Sequence, residues 1–447
     1  MSNGIPLKKI SFSGTLLLLA WPAIVENFLQ SMVGFVDSLF ISKLGLTEVA
    51  TVGVTNAILQ IYFAIFMSVS TAAAVFISRS IGEQDTEKTK VIISHALMLT
   101  IGIGFLFGFV SLFFAPDLLS LMGANAEVVE RGSTYFRVIA TPSIFMSLVF
   151  TIGSILRGTG DTKTPLRAGL WMNFIHIILD YILIFGLFFE GFGLTGAAIA
   201  TVLARIIGVA LLFRGMKRKN LLPPLSPRFW SIRPDLLYRM SRLGTPAMLE
   251  RLFMRTGQIL YFGMIIRMGT DIYAAHTLTG NFTLFSTIVG TGLGVATTTL
   301  IGQSIGSGKF EDVKRYGKIA TGVTSTVMTV VLLIVWLYSF GAATWFTTSS
   351  EVIHLITTVL LIDLFAQPAT GLVTSLTAIL QAGGDTKFPM YVTWFGIWAI
   401  RTLGVYLLGV YLGWGLIGAW CAIAFDNYIR AGILYWRYRS FKWLKVI

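Results

Sequence analysis

The chain has 447 residues, of which 55% are hydrophobic and 12% charged, and its formal net charge is +13. A soluble domain carries about 25% charged residues, so this composition excludes an ordinary water-soluble protein. The apolar residues form blocks of about 20 or more, long enough to cross a hydrocarbon core of about 30 Å. The alternation typical of a β-barrel strand is missing from these blocks. We therefore predict an all-α polytopic membrane protein.

The apolar blocks predict twelve membrane-spanning helices. In chain order they cover roughly 14–43, 48–78, 92–115, 127–156, 165–189, 193–213, 237–267, 271–304, 314–342, 350–380, 388–412 and 415–436. The run after Lys8 and Lys9 continues as a full-length span, so we expect no cleavable signal sequence. The single cysteine, Cys421, excludes a disulfide framework and a cysteine-based metal site.

The positive charges are concentrated in alternate loops. With the N-terminus inside, most of the 34 Lys and Arg residues lie at inside loops and ends, and outside loops keep only Lys43, Arg131 and Arg267. This asymmetry follows the positive-inside rule and predicts a bacterial inner-membrane protein with both termini in the cytoplasm. Topology and membrane lipids with anionic headgroups therefore explain the charge, and we expect no nucleic-acid partner.

A repeat divides the chain. "RGTGDTKTP" at 157–165 and "QAGGDTKFP" at 381–389 are separated by 224 residues. Further pairs at this offset are Pro22 and Pro246, Glu26 and Glu250, Gly45 and Gly269, and the "SIG" runs at 80–82 and 304–306. We infer an N-terminal six-helix lobe at 1–213, a cytoplasmic basic linker at 214–236 and a C-terminal six-helix lobe at 237–447. Because six is even, the two repeats run parallel around a central cavity, which is typical of an alternating-access transporter.

The repeated Gly-Asp-Thr-Lys loops have two interpretations. A phosphate-binding loop would need a preceding strand and a Walker motif, and the sequence has neither. We expect instead that Asp161 and Asp385 turn the chain and cap the next helix, whose first turn contains Pro165 or Pro389. Because no ATP-binding motif is present, we expect an ion gradient to drive transport.

Carboxylates inside the spans are the candidate functional groups, because an ionised side chain at mid-membrane costs about 2.5–3.5 kcal/mol. They are Glu26, Asp37, Asp180, Glu250, Asp363 and Asp426. Glu26 and Glu250 occur in both repeats, so we expect a structural role for them, with Arg251 or Arg255 as possible partners. Asp37 and Asp180 correspond to Tyr261 and Gly404, so both acids are specific to the first repeat.

Asp37 and Asp180 lie at the same predicted depth near the outer ends of the first and fifth helices, so we expect a shared site. Helical spacing predicts a polar cavity around them, formed by Gln30, Gly34, Asn56, Gln60, Asn173 and His176. Such a carboxylate can bind a proton from the outer face and release it inside, or it can coordinate Na⁺. The structural alternative is helix–helix hydrogen bonding, for instance between Asp180 and Asn56. Pro22, on the helix of Asp37, is a candidate hinge.

Three segments resemble the multidrug and toxic compound extrusion (MATE) family. "WPAIVENFLQSMVGFVDSLFISKLG" at 21–45 resembles the family's first helix, "RGTGDTKTP" its loop after helix 4, and "NFIHIILDYILIFG" at 173–186 its fifth helix. The tandem layout of six plus six helices extends the resemblance over the whole chain. The family resemblance implies cation-coupled antiport of amphipathic, often cationic drugs and dyes.

The acidic positions indicate a branch of this family. The Na⁺-associated branch that resembles NorM has a glutamate and an aspartate where this chain has Met254 and Thr370. The chain is similar instead to the DinF-like branch, which implies proton coupling through Asp37 and Asp180. We expect a proton-driven multidrug efflux antiporter of the cell membrane that contributes to drug resistance.

Several alternatives stay open at this point. One alternative is a drug antiporter coupled to Na⁺ instead of H⁺. Another is a lipid-linked saccharide flippase of the same superfamily, for which Arg255 and Arg401 would supply a basic cavity. We find no nucleophile–base pair and no filter motif, so we expect neither an enzyme nor a channel. We expect a monomer with no cofactor and no bound metal.

Overall fold

The structure, a computed structural model, describes residues 11–187 and 190–445. The first ten residues of the predicted N-terminal lobe, the last two residues of the predicted fifth span (188–189), and residues 446–447 lie outside the described residues. Within the described part the regular secondary structure is helical throughout. This confirms the predicted all-α class.

The described residues of the first repeat and the segment after it form nine helices, two of them short, and a tenth helix begins the second repeat. They are α1 (Phe12–Ser42), α2 (Leu46–Gly82), α3 (Thr86–Phe113), α4 (Ala115–Leu121), α5 (Ala126–Ala140), α6 (Ser143–Gly158), α7 (Lys163–Phe185), α8 (Gly193–Arg218), α9 (Pro227–Trp230) and α10 (Pro234–Arg267), the last of which begins the second repeat.

The second half continues with helices of matching order. They are α11 (Thr270–Gly306), α12 (Phe310–Ala343), α13 (Ser350–Ala382), α14 (Lys387–Phe395), which continues as π-helical turns at Gly396–Thr402 and Val405–Tyr411, α15 (Gly415–Arg439), and a 3₁₀ turn at Lys442–Lys445.

The helices correspond to the twelve predicted spans. Among the described residues, nine helices are long and apolar enough to cross a membrane, and the bent pair α5–α6 makes a tenth. The remaining two, α10 and α15, fall short because they carry several charged side chains, including Glu250, Arg255, Asp426 and Arg430. In a bundle such helices turn their charges toward protein. The polytopic fold is therefore confirmed.

Helix boundaries confirm the tandem repeat. The second and third helices of each half, α2 with α11 and α3 with α12, begin 224 residues apart. The same offset relates the starts of α7 and α14, which follow the two Gly-Asp-Thr-Lys loops. Asp161 accepts hydrogen bonds from the backbone N–H and the hydroxyl of Thr164 at 3.0 and 2.7 Å, so the predicted helix-capping role is also confirmed.

The fourth span is where the halves differ most. In the first half it is split into α5 and α6, which are bent by 43° at Thr141 and Pro142. Gly108 of α3 packs against this bend, where an added Cβ would overlap the carbonyl oxygen of Thr141. The equivalent α13 has an internal proline, Pro368, but continues unbroken.

Small residues bring α7 and α8 together. The buried positions of α8 include Gly196, Ala197, Ala198, Ala200, Ala204 and Gly208. In a membrane there is no hydrophobic gain from pairing apolar helices, so close backbone approach through small residues supplies the packing contacts. The consequence for function is that polar side chains of α7 and α8 are held near one another.

The predicted basic linker packs against the N-terminal helices. The backbone N–H of Arg233 donates to Nε2 of His95 at 3.0 Å, and the hydroxyl of Ser94 donates to the carbonyl of Phe229 at 2.6 Å. Because Nε2 accepts here, Nδ1 carries the hydrogen and donates to the carbonyl of Val91 at 2.8 Å. His95, which the sequence left without a role, therefore anchors this segment to α3.

The helices form two compact units whose boundaries lie inside helices. One unit is Val25–Gly244, called here the N-terminal unit, and the other, the C-terminal unit, combines Met1–Ile24 with Thr245–Ile447. The basic segment after α8 thus belongs to the N-terminal unit, and the divisions fall within α1 and α10. The six-helix lobes expected at 1–213 and 237–447, with a linker at 214–236, stay a prediction.

Candidate functional site

Asp37 and Asp180 lie at matching positions on two helices of the N-terminal unit. Asp37 is five residues before the end of α1 at Ser42, and Asp180 is five residues before the end of α7 at Phe185. Asp180 is fully buried and Asp37 is half-buried. The two carboxylates lie within electrostatic range of one another. The structure therefore brings together the two acids that sequence analysis paired.

Two further charged or polar side chains join this pair. Arg205 of α8 interacts electrostatically with Asp37, and buried Tyr135 of α5 with Asp37, Asp180 and Arg205. The Arg205 guanidinium also donates to the carbonyl of Ile139 at 3.5 Å. We call Asp37, Asp180, Arg205 and Tyr135 the carboxylate cluster. It holds two acids and one cation, so its charges balance when one carboxyl group is protonated.

Three of the four carboxylate oxygens in the cluster lack a hydrogen-bond donor in the described part of the chain. Among the described residues, neither oxygen of buried Asp180 has a hydrogen-bond partner, nor has Oδ1 of Asp37. Nε2 of His176 lies 3.3 Å from Asp180, but it is hydrogen-bonded to the hydroxyl of Thr201 at 3.0 Å, and its contact with Asp180 lacks hydrogen-bond geometry. A buried acceptor without a donor is costly, so this arrangement is unusual for a purely structural acid.

The remaining residues of the predicted cavity have mixed environments. Four of these residues are exposed on α1 and α2, namely Gln30, Gly34, Asn56 and Gln60, and Asn173 is half-buried on α7. His176 is the member that the structure brings into contact with an acid of the cluster. The assignment of the other five to a substrate cavity stays a prediction.

The suggested hydrogen bond between Asp180 and Asn56 is wrong. Both Asp180 oxygens lack partners among the described residues, while Asn56 is exposed on α2. Helical spacing fixes which residues share a face but not how neighbouring helices rotate against each other. The structural alternative for Asp180 therefore loses the contact on which it depended.

Carboxylates of the C-terminal unit, in contrast, accept hydrogen bonds. Asp426 is fully buried and binds Arg401 at 2.7 Å and Arg430 at 3.0 Å. Asp363 accepts from Thr283 and Gln367, both at 3.1 Å. These acids have the partners expected of structural buried charges.

Glu26 and Glu250 occupy equivalent positions, as the repeat predicted. Arg251, one of the suggested partners, interacts electrostatically with Glu250, whereas Glu26 has a partner that the sequence did not suggest. Glu26 forms an ion pair with Arg157 at 3.1 Å. Glu250 accepts a hydrogen bond from Gln381 at 3.0 Å, and Gln381 stands 224 residues after Arg157. Both glutamates thus contact the residue that begins the repeated loop motif.

Sequence analysis missed Arg205 and Tyr135. A usable signal was present for Arg205, because an arginine inside the predicted span 193–213 is as costly as the acids that were examined. Its neighbours could not be identified from spacing, since the cluster joins α1, α5, α7 and α8. Tyr135 offered no signal, because tyrosine is common in such helices.

Two repeats of six helices, with a pair of acids inside one of them, are typical of a polytopic membrane transporter. A model of the family described as MatE matches residues 22–182 and 246–407, one match in each half. The chain belongs to this family. The resemblance found in the sequence is thereby confirmed at the level of the family.

Similar proteins agree with this assignment over nearly the whole chain. An uncharacterised transporter, YisQ, of Bacillus subtilis is 28% identical over 96% of this chain and 95% of its own. A probable multidrug resistance protein NorM of Thermotoga maritima is 30% identical over 96% of this chain and 93% of its own. A crystal structure of MATE in the straight conformation superposes with a TM-score of 0.90 at 24% identity, covering 100% of both chains.

Proposed function

We propose that this protein is a multidrug efflux antiporter that exports amphipathic, often cationic drugs and dyes in exchange for protons by alternating access. The observation that carries the proposal is Asp180, a fully buried carboxylate without a hydrogen-bond donor, beside the second acid Asp37. Such a group is costly to bury when ionised and much less costly when protonated. A site of this kind is suited to binding and releasing a proton.

The charge of the cluster supports proton exchange. Arg205 compensates one of the two carboxylates, so the unprotonated cluster carries one excess negative charge. Binding of either a proton or a cationic drug removes this excess. Competition between the two ligands for the same charge is the simplest physical basis for antiport, because occupancy by one disfavours the other.

The transport cycle follows from this competition. With the cluster open to the outer face, proton binding at Asp37 and Asp180 releases the drug. With it open to the cytoplasm, proton loss restores the negative charge and favours a new cationic drug. The substrate class is supported by the multidrug resistance name of the relative from Thermotoga maritima. The DinF-like branch, the cytoplasmic termini and the monomeric state stay predictions that belong to this proposal.

Reconstituted vesicles test the coupling ion directly. Purified protein in proteoliposomes is given either a pH gradient or a Na⁺ gradient, and movement of a fluorescent lipophilic cation is followed. We expect transport with the pH gradient and none above empty vesicles with Na⁺ alone. Transport that follows the Na⁺ gradient at equal pH on both sides would make the protein a Na⁺-coupled antiporter and refute proton coupling.

The flippase alternative receives less support. It requires basic side chains that are available to a pyrophosphate, and Arg401 was a candidate. Its guanidinium is already bound by Asp426 at 2.7 Å and by Asn427 at 3.1 Å. We therefore expect the purified protein to bind the fluorescent cation in preference to a polyprenyl pyrophosphate, and the reverse preference would favour the flippase.

A further inference from the structure

A cavity of about 500 Å³ lies between the start of α7 and the end of α8, within the N-terminal unit. Two short rows of cations face it, one from each helix, at the i, i+4 spacing that puts side chains on one helical face. The cations are Lys163 and Arg167 on α7, Arg214 and Arg218 on α8, and Lys219 just after α8.

The cavity has more positive charge than the protein itself balances. Its single acid, Asp161, caps α7 through Thr164 and lies 3.6 Å from Lys219. The other four cations form no ion pair with any acid in the described part of the chain. Four excess charges confined to one cavity repel each other, and a bound anion would relieve that repulsion.

An apolar surface adjoins the cations toward the middle of α7 and α8. Trp171 lies one further turn along the face of Lys163 and Arg167, about 12 Å from the start of α7 at 1.5 Å per residue, and 59% of its surface is exposed. Leu211 lines the same cavity on α8. Tryptophan beside basic residues is typical of the level where lipid headgroups meet acyl chains. The ligand that covers both surfaces carries an anionic headgroup and a hydrocarbon chain.

The second repeat shows that the fold does not require these cations. Its α14 aligns with α7 at the 224-residue offset, and its last helix aligns with α8 at an offset of 222, set by "GL" at 193–194 and 415–416. Three of the five cations are replaced there by aromatic residues and one by serine. In the order Arg167, Arg214, Lys219 and Arg218, the equivalents are Tyr391, Trp436, Phe441 and Ser440. Lys163 keeps its charge as Lys387, and the other four charges are particular to the first repeat.

We propose that this cavity is a binding site for the headgroup of an anionic phospholipid, with the lipid phosphate between the two arginine rows and an acyl chain against Trp171. Guanidinium groups bind phosphate oxygens in pairs, and basic pockets between helices at the cytoplasmic side are suited to such headgroups. A free phosphate would satisfy the cations but would leave the apolar surface uncovered. The site is separate from the carboxylate cluster and does not depend on the proposed antiport.

Native mass spectrometry of the full-length protein in detergent tests the proposal, with phosphatidylglycerol and phosphatidylcholine added in parallel. We expect preferential retention of phosphatidylglycerol. In Arg167→Gln/Arg214→Gln the apparent Kd for that lipid should rise about 25-fold, because each charge removed weakens binding about fivefold. The control Lys217→Gln/Arg242→Gln removes two exposed charges from α8 and α10 outside the cavity, and should change the Kd less than threefold.

Two further arms keep the test decisive. Arg167→Lys/Arg214→Lys retains the charges and should keep the preference for phosphatidylglycerol, which separates loss of charge from loss of folding. Millimolar inorganic phosphate should not displace the lipid. An unchanged Kd in the glutamine variant, an equal loss in the control, or displacement by inorganic phosphate would each overturn the lipid site.

Discussion

Arg157 donates from Nη1 to both carboxylate oxygens of Glu26, at 3.2 and 3.1 Å, and so ties α6 to the proline-containing part of α1. In the second repeat the same contact joins Gln381 to Glu250, with Thr393 as a second donor at 3.3 Å. The two halves thus hold an equivalent glutamate by different chemistry. The first repeat uses an ion pair, and the second uses hydrogen bonds from the uncharged side chains of Gln381 and Thr393.

Arg157→Gln should destabilise the protein, because Glu26 loses its counter-ion while its side chain is only 25% exposed. Breaking a buried pair costs about 3–5 kcal/mol, and the partial exposure reduces our expectation to about 2 kcal/mol. Thermal unfolding in detergent measures the change. The double variant Glu26→Gln/Arg157→Gln, which has no unpaired charge, should recover at least half of it. No recovery would mean that the arginine stabilises through packing alone.

Asp37→Asn should reduce efflux of a cationic dye driven by a pH gradient to a small residual rate. The amide cannot bind and release a proton, and it removes the negative charge that would attract the drug. The matched control is Asp271→Asn, an exposed acid in the first turn of α11. Dye efflux from cells that contain equal amounts of each variant gives the comparison. Wild-type efflux in Asp37→Asn would remove this residue from the mechanism.

Asp180→Asn should have the same effect, although Asp180 lies on a different helix. If the two acids form one proton-binding site, the double variant Asp37→Asn/Asp180→Asn should be no worse than either single variant, because each alone already disables the site. Initial rates of dye efflux under a fixed pH gradient measure this coupling. Losses that multiply in the double variant would show two independent sites.

Arg205→Gln should reduce efflux at least tenfold, because the cluster loses its only cation and two carboxylates are left uncompensated. Arg205→Lys should retain part of the activity, since the charge is kept while the contact with the Ile139 carbonyl changes. Transport rates normalised to folded protein, judged by size-exclusion profiles, provide the measurement. Equal activity in the glutamine variant and the wild type would show that the cluster does not need this charge.

His95→Phe should release the basic segment from α3, because the imidazole accepts the Arg233 N–H and donates to Val91. Loss of one buried acceptor costs about 1–3 kcal/mol, enough to raise local opening severalfold. Limited trypsin digestion should cut faster after Lys219 or Arg228, with Ser13→Ala, a half-buried position near the start of α1, as a control. An unchanged cleavage rate would contradict the anchoring role of His95.

The elements that sequence reasoning predicted well are those that depend on local properties. Helix positions follow from hydropathy, and the capping by Asp161 follows from residues three apart. The common depth of Asp37 and Asp180 follows from counting along two helices. None of these required knowledge of which helices are neighbours.

The elements that it missed depend on contacts between helices. Arg157 as the partner of Glu26, and Arg205 and Tyr135 in the carboxylate cluster, come from segments far apart in the chain. Their contacts are set by the rotation of each helix and by the close packing that the small residues of α8 allow. A single sequence contains the charges but not these rotations.

The boundary between the two compact units falls inside α1, so one continuous helix belongs to both units. Pro22 belongs to one unit and Asp37 to the other, yet both lie on one continuous helix, and α10 is divided in the same way beside Pro246. A loop would absorb a change of angle between the units, whereas a helix transmits it as tilt or torque. Each proline removes a backbone hydrogen bond near the division, so bending costs least there. Under the proposed function, Asp37 gains and loses its proton on a helix whose backbone continues through Pro22 into the other unit.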